Sequence, residues 1–441
     1  MASQKNIVTR FAPSPTGLFH AGSYRTAVFS YLFARKNGGK FILRIEDTDK
    51  ECSKKEYEDN IIESLKWLSL EYDEKYLQSS RAKAHRAALE KLIASGNAYV
   101  SKEKIQKEGD RAEVIRFKNP NRKVSWDDII RGKVEFDTTE LGDFVVAKSL
   151  DEPVFHLAVV VDDAFSGVTH VIRGEDHISN TPRHILLYEA LGEPIPKYAH
   201  LPLVLAADRS KLSKRRGAKA MTDYRDAGFL PEALINYMAL VGWNPGTEQE
   251  IFSKEELVKV FSLERVQKSG AIFSEEKLRW VNKEHLKKLP IGEQEREVAK
   301  WLGKSGDMIK RITPNIIERI ETFGDIAEMA KKGEFDFYFE EPKFSPEKLI
   351  WKGEGDLSAV KKHLTAVAAL LEKISEKDFT AEGVKAALWP YAEESGRGPV
   401  LWPLRFALSG KDKSPDPFTL CAILGKKIAI SRIERAVKLC A

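Results

Sequence analysis

Cysteine is scarce in this chain. Cys52, Cys421 and Cys440 lie far apart and show no CxxC or CxH spacing, so neither a disulfide scaffold nor a zinc site is supported. The expectation is reduced thiols and no zinc. Long apolar runs are missing as well. None approaches the ~18 residues of a membrane-spanning helix, so no membrane partner is expected. There is no internal repeat and no long low-complexity tract. A large charge excess is also absent. A net charge of +5 permits nucleic-acid binding without requiring it, so the local clustering of lysine and arginine says more than the total. Strand-like residues begin within a few positions of Met1, which predicts no signal or transit peptide. The expected compartment is the cytoplasm.

What is present fits folded protein. The 441 residues allow about three domains at roughly 150 each, and 42% hydrophobic with 31% charged residues is an ordinary globular balance. Asn6 to Phe11 reads as a short buried strand. A helix follows from about Ala21 to Lys36, with Tyr24, Val28, Tyr31 and Leu32 at helical spacing. Asn37-Gly38-Gly39 ends it, since glycine accepts the left-handed conformation past a helix end. Lys40 to Ile45 is the next strand, and this strand–helix–strand order predicts a parallel sheet with a right-handed crossover. Ser53-Lys-Lys-Glu56 predicts a capping box opening a helix with Tyr57, Ile61, Leu65 and Leu68 on its core face. Another helix starts near Arg81 and stops at Gly96. From about Tyr99 to Leu150 the pattern loosens into short charged pieces, read as an insertion between two halves of the sheet. Val154 to Val161, Thr169 to Ile172 and Leu201 to Leu205 read as strands, and Pro182 marks a helix start. Pro231 opens a helix that ends at Gly242. Ser253-Lys-Glu-Glu256 is a second capping box, and the rest is mostly helical.

Two segments carry chemistry. The first is Arg10-Phe-Ala-Pro13-Ser14-Pro-Thr-Gly17-Leu-Phe-His20-Ala-Gly22-Ser23. A glycine-rich loop entering a helix offers free backbone N–H groups and a positive dipole end to an anion. His20 adds a donor, and Gly22 allows a base or ribose close to the backbone. Alone, this is more readily an ordinary strand-to-helix turn with a surface histidine. The second is Lys211-Leu-Ser-Lys214-Arg215-Arg216-Gly217. Lysine ammoniums can follow charge onto a leaving pyrophosphate. Alone, this is as readily a solvated basic loop or an RNA contact.

Together, and in this order, the two segments resemble the "HIGH" and "KMSKS" signatures of class I aminoacyl-tRNA synthetases. Further runs extend the likeness over nearly the whole chain: Phe41 to Asp49 (FILRIEDTD), Val159 to Asp163 (VVVDD), Gly167 to His177 (GVTHVIRGEDH), Gly228 to Asn236 (GFLPEALIN), Lys277 to Asn282 (KLRWVN) and Leu401 to Gly410 (LWPLRFALSG). The chain resembles the bacterial-type glutamyl-tRNA synthetases.

That resemblance implies a Rossmann-type α/β catalytic domain with an inserted acceptor-binding subdomain, followed by all-α stem-contact and anticodon-binding domains. The implied boundaries are 1–98 and 151–228 for the catalytic domain and 99–150 for the insertion. The stem-contact part is then 229–289 and the anticodon-binding part 290–441. It implies ATP-dependent attachment of L-glutamate to tRNA(Glu), with tRNA(Gln) as an alternative second acceptor, Mg²⁺ accompanying ATP, and a monomer. Pro13, Gly17, His20, Gly22, Ser23 and Lys214 are the implied ATP-binding residues, and His20, Lys211 and Lys214 the catalytic ones. Arg10, Ser14, Glu46, Phe155 and Arg173 are the implied glutamate pocket. The chemistry agrees, because guanidinium forms charge-assisted, fork-like bonds to carboxylate and Glu46 suits the substrate ammonium. Asp49 reads as a turn residue. Arg173 argues against glutamine, whose neutral amide would leave a buried cation unpaired. Phe155 stands where the family usually has tyrosine, and Val159 where some members have asparagine. The insertion lacks the cysteine cluster that binds zinc in some members. RNA contacts are expected from Arg111, Arg116, Lys118, Arg122 and Lys123 with Trp126 as a stacking platform, and from Arg397, Trp402 and Arg405. The rivals are a short paralogue that modifies a tRNA base, disfavoured by the roughly 200 residues after Gly228, and an RNA-binding paralogue without catalysis.

Overall fold

The computed structural model of the chain describes residues 7–19, 21–105, 111–212, 219–352 and 355–440. They form two compact units, Met1–His285 and Leu286–Ala441. The first unit opens with β1 (Val8–Phe11), α1 (Ala21–Lys36), β2 (Lys40–Ile45), α2 (Lys55–Trp67) and β3 (Glu74–Leu77). In α1 the predicted apolar face, Tyr24, Val28, Tyr31 and Leu32, is buried, and Gly38 past its end takes a φ of +63°. After α3 (Ala82–Ala94) come β4 (Ala98–Lys102), β5 (Glu113–Phe117), β6 (Lys123–Asp128), β7 (Gly132–Asp137), β8 (Phe144–Ser149) and β9 (Glu152–Pro153). The chain then runs through α4 (Phe155–Phe165), β10 (His170–Gly174), α5 (Thr181–Leu191) and β11 (Lys197–Leu201).

The main sheet has the order β3-β2-β1-β10-β11-β6-β7. From β3 to β6 every pair is parallel, and β6–β7 is an antiparallel hairpin on the edge. From β1 the chain builds outward through β2 and β3; from β10 it builds the opposite way through β11. The order therefore reverses between β1 and β10. An open parallel sheet binds ligands outside the carboxyl ends of its strands at such a point. Arg10 is near the end of β1, Arg173 near the end of β10, and Glu46 directly follows β2. Strands β4, β5, β8 and β9 form a separate antiparallel sheet, so the segment read as an insertion supplies both a small sheet and a hairpin on the main one.

Three local expectations are overturned. Leu201 to Leu205 is not one strand: β11 ends at Leu201, and Val204–Leu205 pairs in a separate two-stranded sheet. Val154 to Val161 is not a strand but the body of α4. A continuous apolar run cannot be told from a buried helix by periodicity alone, and Leu157 to Asp163 is buried all along its length. Ser53 does not cap α2. The cap position is Lys54, without a side-chain bond, and the Ser53 Oγ is buried with no partner. The backbone N–H of Lys54 donates instead to the Pro15 carbonyl at 3.0 Å, tying the helix entry to the loop after β1. The second capping box does form: Glu256 N–H donates to Ser253 Oγ at 3.1 Å, and Ser253 N–H to Glu256 Oε2 at 2.7 Å.

In the second unit the described elements are α-helices with short 3₁₀ turns, from Ile291–Leu302 to Lys426–Leu439. Leu364, Leu371, Leu404, Leu420 and Ile433 fill its interior. Arg432 is buried among them and donates to the carbonyls of Phe337, Leu408 and Glu340, satisfying helix-end acceptors that would otherwise lack donors.

Candidate active site

A cavity of about 580 Å³ opens at the carboxyl ends of β1 and β10. Its wall brings together Arg10, Pro13, Ser14, Gly22, Ser23, Glu46, Phe155, Arg173 and Lys211, residues that the sequence spreads over two hundred positions. Gly17 lines a smaller neighbouring hollow with Thr16, Leu18 and Phe19. His20 and Lys214, with Arg215, Arg216 and Gly217, lie outside the described residues.

The loop after β1 is fixed at several points. Glu46 N–H donates to the Pro13 carbonyl at 3.0 Å, Phe19 N–H to Asn60 Oδ1 at 2.9 Å, and Met221 N–H to the Phe19 carbonyl at 3.0 Å. Gly22 and Ser23 lie in the first turn of α1, which carries no acidic residue, so nothing there competes with an anion for the helix end.

The floor is a buried chain of charge. Arg10 Nε donates to both oxygens of Asp163, at 3.2 and 3.3 Å. Arg44 Nη1 donates to Asp163 Oδ1 at 2.5 Å, and its Nη2 and Nε to Glu46 Oε1 at 3.0 and 3.3 Å. Burial works against the Asp163 anion, but Arg10 and Arg44 outweigh it and hold its carboxyl below the usual range. For Glu46 the balance is opposite: burial raises its carboxyl above 4.5 despite Arg44 and Arg10. Asp49 accepts from the N–H groups of Glu51 and Cys52, a turn.

Arg173 has a different shell. Its Nε donates to His200 Nε2 at 3.2 Å, Nη1 reaches His184 Nδ1 at 3.2 Å, and Nη2 donates to Thr181 Oγ1 at 2.8 Å and the His177 carbonyl at 3.4 Å. None of these partners is anionic. Burial lowers Arg173 from 12.5 to about 10. Burial likewise pushes His177 and His156 down to about 4 and His184 well below its ordinary value, with Arg173 adding repulsion. The surrounding imidazoles are therefore neutral. Arg10 and Arg44 balance Asp163 and Glu46, so Arg173 is the uncompensated charge among these five. Phe155, at the start of α4, sets its ring beside His177 and His184 at centroid distances of 5.8 Å, and Val159 lines the same wall. Lys211 Nζ is held by Asp176 Oδ2 at 2.8 Å.

Sequence reasoning did not assign roles to Asp163, Arg44, Asp128 or the imidazoles. A signal existed: five of the nine histidines fall between His156 and His200, and four of these five gather around Arg173. The expected RNA-facing residues fare unevenly. Trp126 is not an exposed platform; it is buried in the core with Val124 and Tyr198, because its strand alternates and places it inward. Arg111, Arg116, Arg122 and Lys123 each form an ion pair, with Glu152, Glu103, Glu189 and Glu135 respectively. Trp402 is half-buried, donating Nε1–H to the Lys348 carbonyl at 3.0 Å, with Arg405 over its ring at 4.8 Å. Arg397 covers the Trp389 ring at 4.5 Å.

Known proteins give the same picture. Residues 6–108 and 101–280 match the family model "tRNA synthetases class I (E and Q), catalytic domain", and residues 284–437 match "Anticodon binding domain". A glutamate–tRNA ligase of Aquifex aeolicus is 42% identical, over 98% of this chain and 99% of its own. One of Sulfurihydrogenibium is 39% identical, over 97% and 98%. Among solved structures, a glutamate tRNA ligase of Elizabethkingia meningosepticum in complex with its amino acid superposes with a TM-score of 0.87 at 33% identity, covering 98% of this chain and 99% of that one. Both signatures, the sheet with its crevice, and relatives matched end to end place this chain in the glutamate–tRNA ligase family of class I tRNA synthetases.

Proposed function

We propose that the protein attaches L-glutamate to the 3′ end of tRNA(Glu) for protein synthesis, in two steps driven by ATP. The α-carboxylate attacks the α-phosphorus, giving glutamyl-adenylate and pyrophosphate. The terminal adenosine hydroxyl of the tRNA then attacks the adenylate and releases AMP. The observation that carries this reading is the buried, uncompensated Arg173 cation across one cavity from Glu46. Glutamate carries two carboxylates and one ammonium, and its single net negative charge complements the single net positive charge of the five floor residues.

In this reading Arg173, alongside Arg10, takes the side-chain carboxylate. Glu46 takes the ammonium, with Ser14 beside it, and Phe155 contributes a ring face without a hydroxyl. Pro13, Gly17, Gly22 and Ser23 form the nucleotide wall. His20 stabilises charge at the α-phosphate, and Lys214, with Lys211, draws the leaving phosphates. Lys211 reaches them by exchanging its exposed Asp176 partner, an ion pair of small worth. Mg²⁺ would accompany the nucleotide, held through phosphate and water rather than by a protein cage; among the described residues there is no cluster of three or more His, Cys, Asp or Glu.

The same reading assigns 1–98 and 151–228 to catalysis, 99–150 to the tRNA acceptor end, 229–289 to the stem and 290–441 to the anticodon. The anticodon-binding match over residues 284–437 supports the last. It has the chain acting as a cytoplasmic monomer; among the described residues no helix is long and apolar enough to cross a membrane. The test is ATP–pyrophosphate exchange with glutamate, with and without tRNA, followed by charging of purified tRNA(Glu) and tRNA(Gln) side by side. Exchange that needs glutamate supports the reading, and its absence with tRNA present contradicts it.

A further inference from the structure

The side chains behind Arg173 form a directed relay that begins in the segment between the two halves of the sheet. Asp128, at the end of β6, is 3% exposed. Its Oδ1 accepts three backbone N–H groups, from Ile130 and Arg131 at 3.0 Å and from His200 at 3.2 Å. Its Oδ2 faces His200 Nδ1 at 2.5 Å. A carboxylate only accepts, so His200 carries its proton on Nδ1, and its Nε2 is left as the acceptor that meets Arg173 Nε–H at 3.2 Å. Tyr198 stacks on the His200 ring at 5.9 Å and 9°, which fixes its plane. The guanidinium is thus oriented by an imidazole whose tautomer Asp128 dictates, while among the described residues no carboxylate touches the cation.

We propose that Asp128, acting through His200, is a positioning residue for Arg173 and thereby a determinant of selectivity for the glutamate side chain. The proposal rests on the reading that Arg173 takes the side-chain carboxylate. The reason for an indirect link is electrostatic. A carboxylate placed directly on Arg173 would compensate the charge the substrate needs, whereas a neutral imidazole aims the fork and leaves the charge available. Burial lowers the His200 pKa although Asp128 pulls it up, in keeping with a neutral ring.

Asp128→Asn tests the relay, because the three backbone donors at Oδ1 require an oxygen there. The amide nitrogen must then face His200 Nδ1 and donate to it. That moves the imidazole proton to Nε2, where a donor meets the Arg173 Nε–H donor. Leaving a buried donor unsatisfied is expected to raise the glutamate KM in tRNA-supported ATP–pyrophosphate exchange by about 10- to 100-fold. The kcat should change much less, and the preference for glutamate over glutamine should narrow by a similar factor. In a His200→Gln background the same Asp128→Asn change should add little, since a glutamine carbonyl accepts from Arg173 whatever stands at 128. A purely structural Asp128 would cost as much in that background as in the parent. Wild-type KM and selectivity in a folded Asp128→Asn chain, or full additivity with His200→Gln, overturns the proposal. If Asp128→Asn does not fold, by its melting curve, the decision passes to His200→Leu against His200→Gln. A selectivity loss about 10-fold greater with leucine supports the relay, and equal losses overturn it. Arg173→Ala in the same assay separates the two levels: an unchanged glutamate-to-glutamine ratio there refutes the reading of Arg173 itself, not the relay alone.

Discussion

Arg173→Ala is the substitution whose consequence the structure specifies most fully. Arg173 is 6% exposed, and its guanidinium is held by Thr181, His184, His200 and a carbonyl, all neutral. Its fall from 12.5 to about 10, caused first by burial, amounts to roughly 3 kcal/mol against the cation. Among the described residues no anion bonds to it, Asp163 acting only through space, and in the proposed reading a bound side-chain carboxylate offsets the cost. In the proposed reading, removing the arginine strands the substrate carboxylate in a buried site. Breaking a desolvated charge pair costs about 3–5 kcal/mol, which is two to four powers of ten in kcat/KM. Glutamine never required the cation and loses far less, so the preference between the two narrows sharply. Phe155 deepens the dependence, because no tyrosine hydroxyl stands there to donate instead. The assay is adenylate formation with each amino acid, with tRNA present, for wild type and Arg173→Ala, alongside melting curves to confirm folding. An unchanged glutamate-to-glutamine ratio would refute the reasoning.

The Glu46 carboxyl sits above 4.5 because of burial. A raised folded-state pKa means that acidification through it favours the fold at this residue while removing the anion proposed to take the ammonium. The glutamate kcat/KM should therefore fall at a higher pH than an unburied glutamate side chain would set, with no loss of Tm from this group, and Glu46→Gln should abolish that limb in a pH–rate profile. Lys214→Ala should slow single-turnover adenylation much more than it weakens ATP binding, as an interaction made in the transition state requires; near-normal adenylation would remove Lys214 from its assigned role. Metal analysis of the purified chain should find no stoichiometric zinc, and one tightly held zinc per chain would show that the insertion had been misread.

What the sequence made legible was what local pattern encodes. The first βαβ unit follows from the periodicity of α1 and the glycines after it, and Ser253–Glu256 caps as its spacing predicts. Arg10, Ser14, Glu46, Arg173 and Lys211 stand in recognisable runs and meet at one cavity. Long-range physics stayed hidden. Arg10 and Arg44 meet Asp163 across 153 and 119 positions, and no window of sequence shows that two arginines share one carboxylate. Nothing local marks Asp128, and its link to His200 spans 72 positions. The valines before Asp162 favour a strand by propensity, yet burial on every side of α4 prevails. Trp126 among basic residues looks like a stacking surface until the alternation of β6 turns it inward.

The central claim is that this cavity selects glutamate and that the chain passes it to tRNA. Charging of purified tRNA(Glu) with radiolabelled amino acid tests it most directly. With ATP and Mg²⁺ the account predicts alkali-labile glutamate on the 3′ adenosine, no charging without ATP, and glutamine charged at a small fraction of the glutamate rate. Glutamine charged as well as glutamate, or no charging of tRNA(Glu) by a folded chain, would contradict it.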